Sequence, residues 1–211
     1  MRVSDMKKLA APFLLALALA APLSANSTLR VDFRQLSHMA ERVVAGRITN
    51  ITASQDPDSG YIYSTVTVAV SQAVPAQLAG RDYSFRMLGG ELNGRIQYIA
   101  DYPKLRTGSE VVLFLNSDTA SMFGPTIGLG QGVFFVESSV SDSAKRVMDR
   151  FGRPVLGIRE ARLIRGVPRI DDPAAASLGA TKSSPALSVG EFFEQIRQQR
   201  ALAPLQTPLG R

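Results

Sequence analysis

Residues 62–70 read IYSTVTVAV, with Val66, Val68 and Val70 on one side of an extended chain and Thr65, Thr67 and Ala69 on the other. Period-two alternation among β-branched residues marks a strand with one buried face. It is incompatible with a helix, whose faces recur every 3.6 residues. A single strand has no stability of its own, so the rest of the chain must supply partners and an apolar layer.

Those partners come at short intervals. Residues 42–51, RVVAGRITNI, read as a strand, and QDPDSG at 55–60 is a turn punctuated by Pro57 and Gly60. Residues 82–88, DYSFRML, alternate again until Gly89-Gly90 breaks the run, and RIQYI at 95–99 follows. TGSE at 107–110 turns into VVLFL at 111–115, which is apolar on both sides and therefore a central strand covered on both faces. GVFFV at 132–136 is the next strand, and residues 145–158 read as a hairpin turning at 150–152. Residues 30–40 carry Val31, Phe33, Leu36 and Ala40 at the spacing of a short helix or turn. The expected fold is all-β: a single small OB-like β-barrel or sandwich over residues 26–170.

The ends of the chain read differently. Arg2, Lys7 and Lys8 precede an uncharged apolar run that closes on small residues at Ser24 and Ala25. That order predicts an exported protein with a signal peptide over residues 1–25. The apolar run is short of the ~20 residues a membrane span needs, and no transmembrane segment is expected after cleavage. Residues 171–187 are small, polar and proline-punctuated, which predicts a flexible linker. Residues 188–203 predict a helix: Ser188 and Glu191 form a capping box, and Val189, Phe192, Phe193 and Ile196 make one apolar stripe. Pro204 ends it, and 204–211 is a tail. The face of Phe192, Phe193 and Ile196 either docks on the chain's own domain or lies in a partner's groove.

The glycines of GPTIGLGQG at 124–132 invite comparison with phosphate-binding loops. Such a loop needs a Lys-Ser/Thr pair and a following helix, whereas Val133 and Phe134 follow here. The segment reads instead as a bent strand, its glycines marking a bulge or corner.

No catalytic set, metal site or cofactor is expected. There is no cysteine, which removes thiol chemistry, cysteine ligands and disulfides. The single histidine, His38, sits on the polar flank of the residue 30–40 stripe and reads as solvated. Asp56 and Asp58 fail the spacing of a calcium loop and serve a turn. Glu91 has no carboxylate partner at a convincing spacing. A small hydrolase using His38 or Glu91 is the alternative kept from another class.

Charge is unevenly spread. The chain carries +6, and removal of Arg2, Lys7, Lys8 and Asp5 with the signal peptide leaves +4. Lys145, Arg146, Arg150, Arg153, Arg159, Arg162, Arg165 and Arg169 lie in one segment, opposed only by Asp149 and Glu160. Arg146, Arg150, Arg153, Arg159, Arg162 and Arg165 are the candidate basic patch for an anionic partner. The structural alternative is that these arginines keep a sheet edge soluble. Nucleic acid is not expected, because Phe151 is the one aromatic available for stacking.

The order ERVVAGRITNI, YIYSTVTVAV, MLGGELNGR, TGSEVVLFL, IGLGQGVFFV resembles a widespread group of small exported bacterial proteins over about residues 36–160. Their shared pattern is structural and names no activity. The first two strands also resemble, distantly, the netrin-like domain of tissue metalloprotease inhibitors, an OB-like barrel. Those inhibitors use an N-terminal cysteine, which this chain lacks, so the resemblance implies a barrel and a protease partner but not that mechanism. The expected function is therefore non-catalytic: an exported, periplasmic or extracellular protein that binds a macromolecular partner. Its sharpest form is inhibition or chaperoning of an exported protease. An electrostatic binder of an anionic envelope component through residues 145–169 is the further alternative.

Overall fold

A computed structural model describes residues 30–117, 122–138, 144–167 and 186–204. The expected signal peptide, most of the expected linker and the tail from residue 205 lie outside the described residues. The elements in chain order are α1 (Phe33–Met39), β1 (Arg42–Gln55), β2 (Ile62–Val74), β3 (Asp82–Leu88), β4 (Gly90–Leu92), β5 (Arg95–Gln97), β6 (Glu110–Leu115), β7 (Val133–Ser138), β8 (Lys145–Met148), β9 (Val155–Arg159), β10 (Arg162–Arg165) and α2 (Val189–Ala201).

Six strands form one antiparallel sheet in the order β3-β2-β1-β6-β7-β8. Among the described residues β3 and β8 do not pair, so the sheet is open rather than a closed barrel. Two small ribbons, β4–β5 and β9–β10, stand beside it. The strand read at residues 62–70 continues to Val74, its alternation changing phase at Ser71, and β1 matches it with its own length by running on to Gln55. Their register shifts at Ala45/Gly46 and Ile48/Asn50. Gly46 is required at the first shift, because any Cβ there would run into the Ala69 carbonyl.

Period two divides the apolar residues between two layers. Val43, Ala45, Val112 and Phe114 face one side of the sheet; Val44, Ile48, Val111, Leu113 and Leu115 face the other. The VVLFL run is thus buried on both faces, as a central strand requires. On the first side, Phe33 and Leu36 of α1 and Phe192, Phe193 and Ile196 of α2 complete the core. On the second, Val66, Val68, Phe85 and the loop residue Tyr102 do so.

The C-terminal helix starts as its sequence requires: the Glu191 carboxylate accepts from Ser188 N at 2.7 Å and Ser188 Oγ accepts from Glu191 N at 3.3 Å. Its stripe does not face a partner. Phe192, Phe193 and Ile196 are each 0% exposed, and Phe192 touches Phe33, Phe114 and Phe134 at ring centroid separations of 5.3, 6.2 and 5.0 Å. Arg200 then donates from Nε to the Ser37 carbonyl at 2.8 Å and from Nη2 to the Ala40 carbonyl at 2.6 Å. These are free carbonyls at the end of α1, so one helix supplies the C-terminal cap of the other.

Three other expectations are corrected. GPTIGLGQG is not a bent strand: it ends in a 3₁₀ turn over Leu129–Gly132. Gly128 enters that turn at φ 59°, and a Cβ on Gly130 would strike the Asp101 carbonyl. The glycines serve tight packing of a turn against a loop. The turn expected at 150–152 does exist, with Gly152 N donating to Asp149 O at 2.9 Å, but β9 leaves β8 after a single bridge, Met148 to Pro154, and pairs with β10 instead. The β9–β10 turn places Glu160 and Ala161 in the left-handed region, at φ 48° and 65°. The expected linker also ends early: Leu187 N donates to Val155 O at 2.7 Å and Leu187 O accepts from Val147 N at 2.9 Å, so residues 186–187 belong to the domain.

Phe192→Ala empties the centre of the aromatic cluster. The expected loss is about 3–5 kcal/mol, read as a fall in the urea midpoint with the slope unchanged, whereas Phe151→Ala, at an exposed position, leaves the midpoint nearly where it was.

Candidate functional site

Asp149 closes β8 and is 4% exposed. Its Oδ1 accepts from the backbone N–H of Phe151 at 2.9 Å and of Arg153 at 3.0 Å, which is how an aspartate shapes the turn that follows it. Its Oδ2 accepts from Arg153 Nε at 2.8 Å, with Arg153 Nη2 at 2.7 Å, and lies 2.9 Å from Arg165 Nε on β10. One carboxylate therefore holds two guanidiniums, and it ties the 149–153 turn to the outer ribbon.

Burial by itself raises the Asp149 pKa; hydrogen bonds from the Arg153 side chain, then from the backbone of Arg153 and Phe151, outweigh it and leave the carboxyl below its ordinary value. Arg165 is held below its ordinary value first by burial. Asp149 opposes that shift, while the nearby charges of Arg153 and Arg30 add to it. Arg30 thus joins the cluster although it stands far from it in sequence.

These residues line an open cleft of about 960 Å³. Val31, Phe33, Leu36, Phe134 and Leu163 contribute apolar wall; Arg30, Arg150, Arg153, Arg162 and Arg165 contribute cations; Asp32, Asp101, Asp149 and Glu160 contribute carboxylates. Arg150 is fixed by donating from Nη1 to the Asp101 carbonyl at 2.7 Å. Phe151 is 60% exposed, and the guanidinium carbons of Arg150 and Arg153 lie 4.6 and 5.1 Å from its ring centroid, within cation–π range.

The structure divides the expected basic patch. Arg150, Arg153, Arg162 and Arg165 line the cleft. Arg159 is exposed on β9 directly across from Arg162 and outside the lining. Arg146 is structural: its Nη1 donates to the Ala186 carbonyl at 3.0 Å. Lys145 lies on another surface, where it and Arg47 share Glu110 at 2.8 and 2.7 Å. Asp149, read from sequence only as a counter-charge, is the organising residue.

The catalytic alternatives lie apart. His38 is half-buried rather than solvated, its Nε2 3.1 Å from Gln199 O in the α1–α2 contact. Glu91 is exposed on β4, across from Ile96. Among the described residues no three histidine, aspartate or glutamate side chains converge to hold a metal, and no helix is long and apolar enough to cross a membrane. What the described residues define is a β-rich domain with a C-terminal helix and an arginine-lined cleft. Comparison with protein-family models, curated proteins and solved structures finds no match.

Removing the shared carboxylate leaves two guanidiniums facing each other without compensation. Asp149→Asn is expected to cost about 3 kcal/mol in chemical denaturation. A carboxyl with a depressed folded pKa stabilises the fold above its unfolded value, here 3.8, and loses that contribution as pH falls through the folded value. Asp56, held at about 2 first by the Ser59 backbone N–H and then by Arg86, acts in the same direction. Thermal stability is therefore expected to fall as pH drops from about 4 toward 2, with a shallower fall in Asp149→Asn.

Proposed function

We propose that this chain is a non-catalytic exported protein that binds a polypeptide partner through the arginine cleft, an exported protease being the sharpest form of that partner. The observation that carries the reading is the two-to-one arrangement at Asp149: a buried carboxylate fixes Arg153 and Arg165 but neutralises only one of them. The remaining charge stands beside an apolar wall in an open cleft. Fixed guanidiniums next to apolar surface are what protein interfaces use as anchors, because little side-chain freedom is left to lose on binding.

The same features weigh against a nucleic-acid partner. Phe151 has arginines close to its ring, and among the described residues no row of exposed aromatics accompanies the cations. The OB-like, netrin-like kinship suggested by the sequence belongs to this proposal too, as a scaffold that grips another protein without an N-terminal cysteine. A second reading, an electrostatic binder of an anionic envelope component, is favoured by the exposed Arg159–Arg162 cross-strand pair. Two like charges facing each other cost stability unless something anionic lies across them.

Crosslinking in the producing cells, followed by mass spectrometry, separates these readings. The expected result is one dominant exported protein, crosslinked near Arg153, Arg162 and Arg165. Lipid, glycan or scattered abundant proteins, with binding that collapses as salt rises, would instead support the envelope reading. Substrate turnover abolished by His38→Ala or Glu91→Gln without a change in melting temperature would overturn both.

A further inference from the structure

We propose that the group recognised in the cleft is the free C-terminal carboxylate of the partner polypeptide, with its last apolar side chain against the cleft wall. This rests on the polypeptide-binding reading above and names its ligand. Three observations carry it.

The first is the kind of cation. All five basic side chains of the cleft are arginines, and none is a lysine. A guanidinium presents five N–H donors in a planar fork that matches a carboxylate. Asp149 already shows this pairing: it takes Nε and Nη2 of Arg153 and Nε of Arg165. None of these bonds uses Nη1 of Arg153 or Nη2 of Arg165. Both side chains keep about a third of their surface exposed, 36% and 37%.

The second is the count of charges. Five arginines stand against Asp32, Asp101, Asp149 and Glu160 in the lining, a surplus of one. A single carboxylate meets that surplus. An acidic run would bring further negative charge against Asp101 and Glu160, both on the exposed side of the cleft. A phosphate dianion would likewise exceed the surplus. The third is the wall. Val31 and Leu163 are half-buried in the same lining, within reach of an apolar side chain entering beside the guanidiniums. A chain terminus offers a carboxylate and an adjacent apolar side chain together, and capture of such a terminus is an established recognition mode.

The test is fluorescence anisotropy on the chain purified as cells produce it. The probes are a labelled tetrapeptide ending in free leucine, the same peptide amidated, and a tetraglutamate amide. The free peptide is expected to bind, and amidation to weaken it at least tenfold. Arg162→Gln and Arg30→Gln, which touch no bond of Asp149, are expected to weaken it several-fold with no fall in melting temperature. Arg159→Gln, outside the lining, leaves binding unchanged. Equal binding of the amidated peptide, stronger binding of tetraglutamate amide, or no binding of any probe overturns the inference. The wider reading fails separately: a partner crosslinked at the cleft but indifferent to amidation sinks only the ligand assignment, whereas a partner crosslinked elsewhere sinks the cleft.

Discussion

Phe192 enters a space bounded by Phe33 of α1, Phe114 of β6 and Phe134 of β7. Those contacts join α1, β6, its neighbour β7 and α2. With no disulfide available, the packing of these rings fastens α2 to α1 and to the sheet. Polar contacts then fix the angle. Arg200 caps α1, Arg34 donates to Gln199 at 3.0 Å and His38 meets the Gln199 carbonyl. The cleft inherits its geometry from this joint, since Phe33, Leu36 and Phe134 belong both to the apolar cluster and to the cleft lining.

The strands that could be read from sequence are those whose pattern is local. Val66, Val68 and Val70 against Thr65, Thr67 and Ala69 need no knowledge of the fold, because pleating alone puts them on opposite faces. VVLFL announced a strand covered on both sides for the same reason, and the Ser188–Glu191 box announced where α2 begins. What could not be read depends on distant contacts. Gly130 is a glycine because the Asp101 carbonyl comes close to it, and nothing near Gly130 in sequence says so. The β9–β10 turn puts Glu160 and Ala161 in the left-handed region without the glycine or asparagine that usually signals it.

The site was half legible for a related reason. A run of arginines is visible in composition, but which of them share a surface is set by the ribbon. Arg146, on β8, is drawn to a backbone carbonyl of the returning chain at Ala186; Arg153 and Arg165 meet because β10 folds back along β9. Arg30 joins them only through the packing that places α1 beside the ribbon, where Phe33 N donates to Ala161 O at 2.8 Å. That one backbone bond sets the N-terminal segment against the left-handed turn, and so the turn that sequence patterns missed is also what brings Arg30 into the cleft.

Asp149 is costly to bury, and its position makes sense only through what it organises. A carboxylate taken from water needs its lone pairs satisfied, and here two backbone N–H groups and two guanidiniums do so. The return is geometric rather than energetic. Arginines on an exposed ribbon would sample many rotamers, and each would lose that freedom on binding. Arg153 and Arg165, held through Nε, have already lost most of it, while part of each guanidinium still faces solvent. The two-to-one ratio keeps the arrangement open to an anion: a second buried carboxylate would complete the charge balance and leave nothing to recognise. The same group that stabilises the turn thus leaves the cleft one negative charge short.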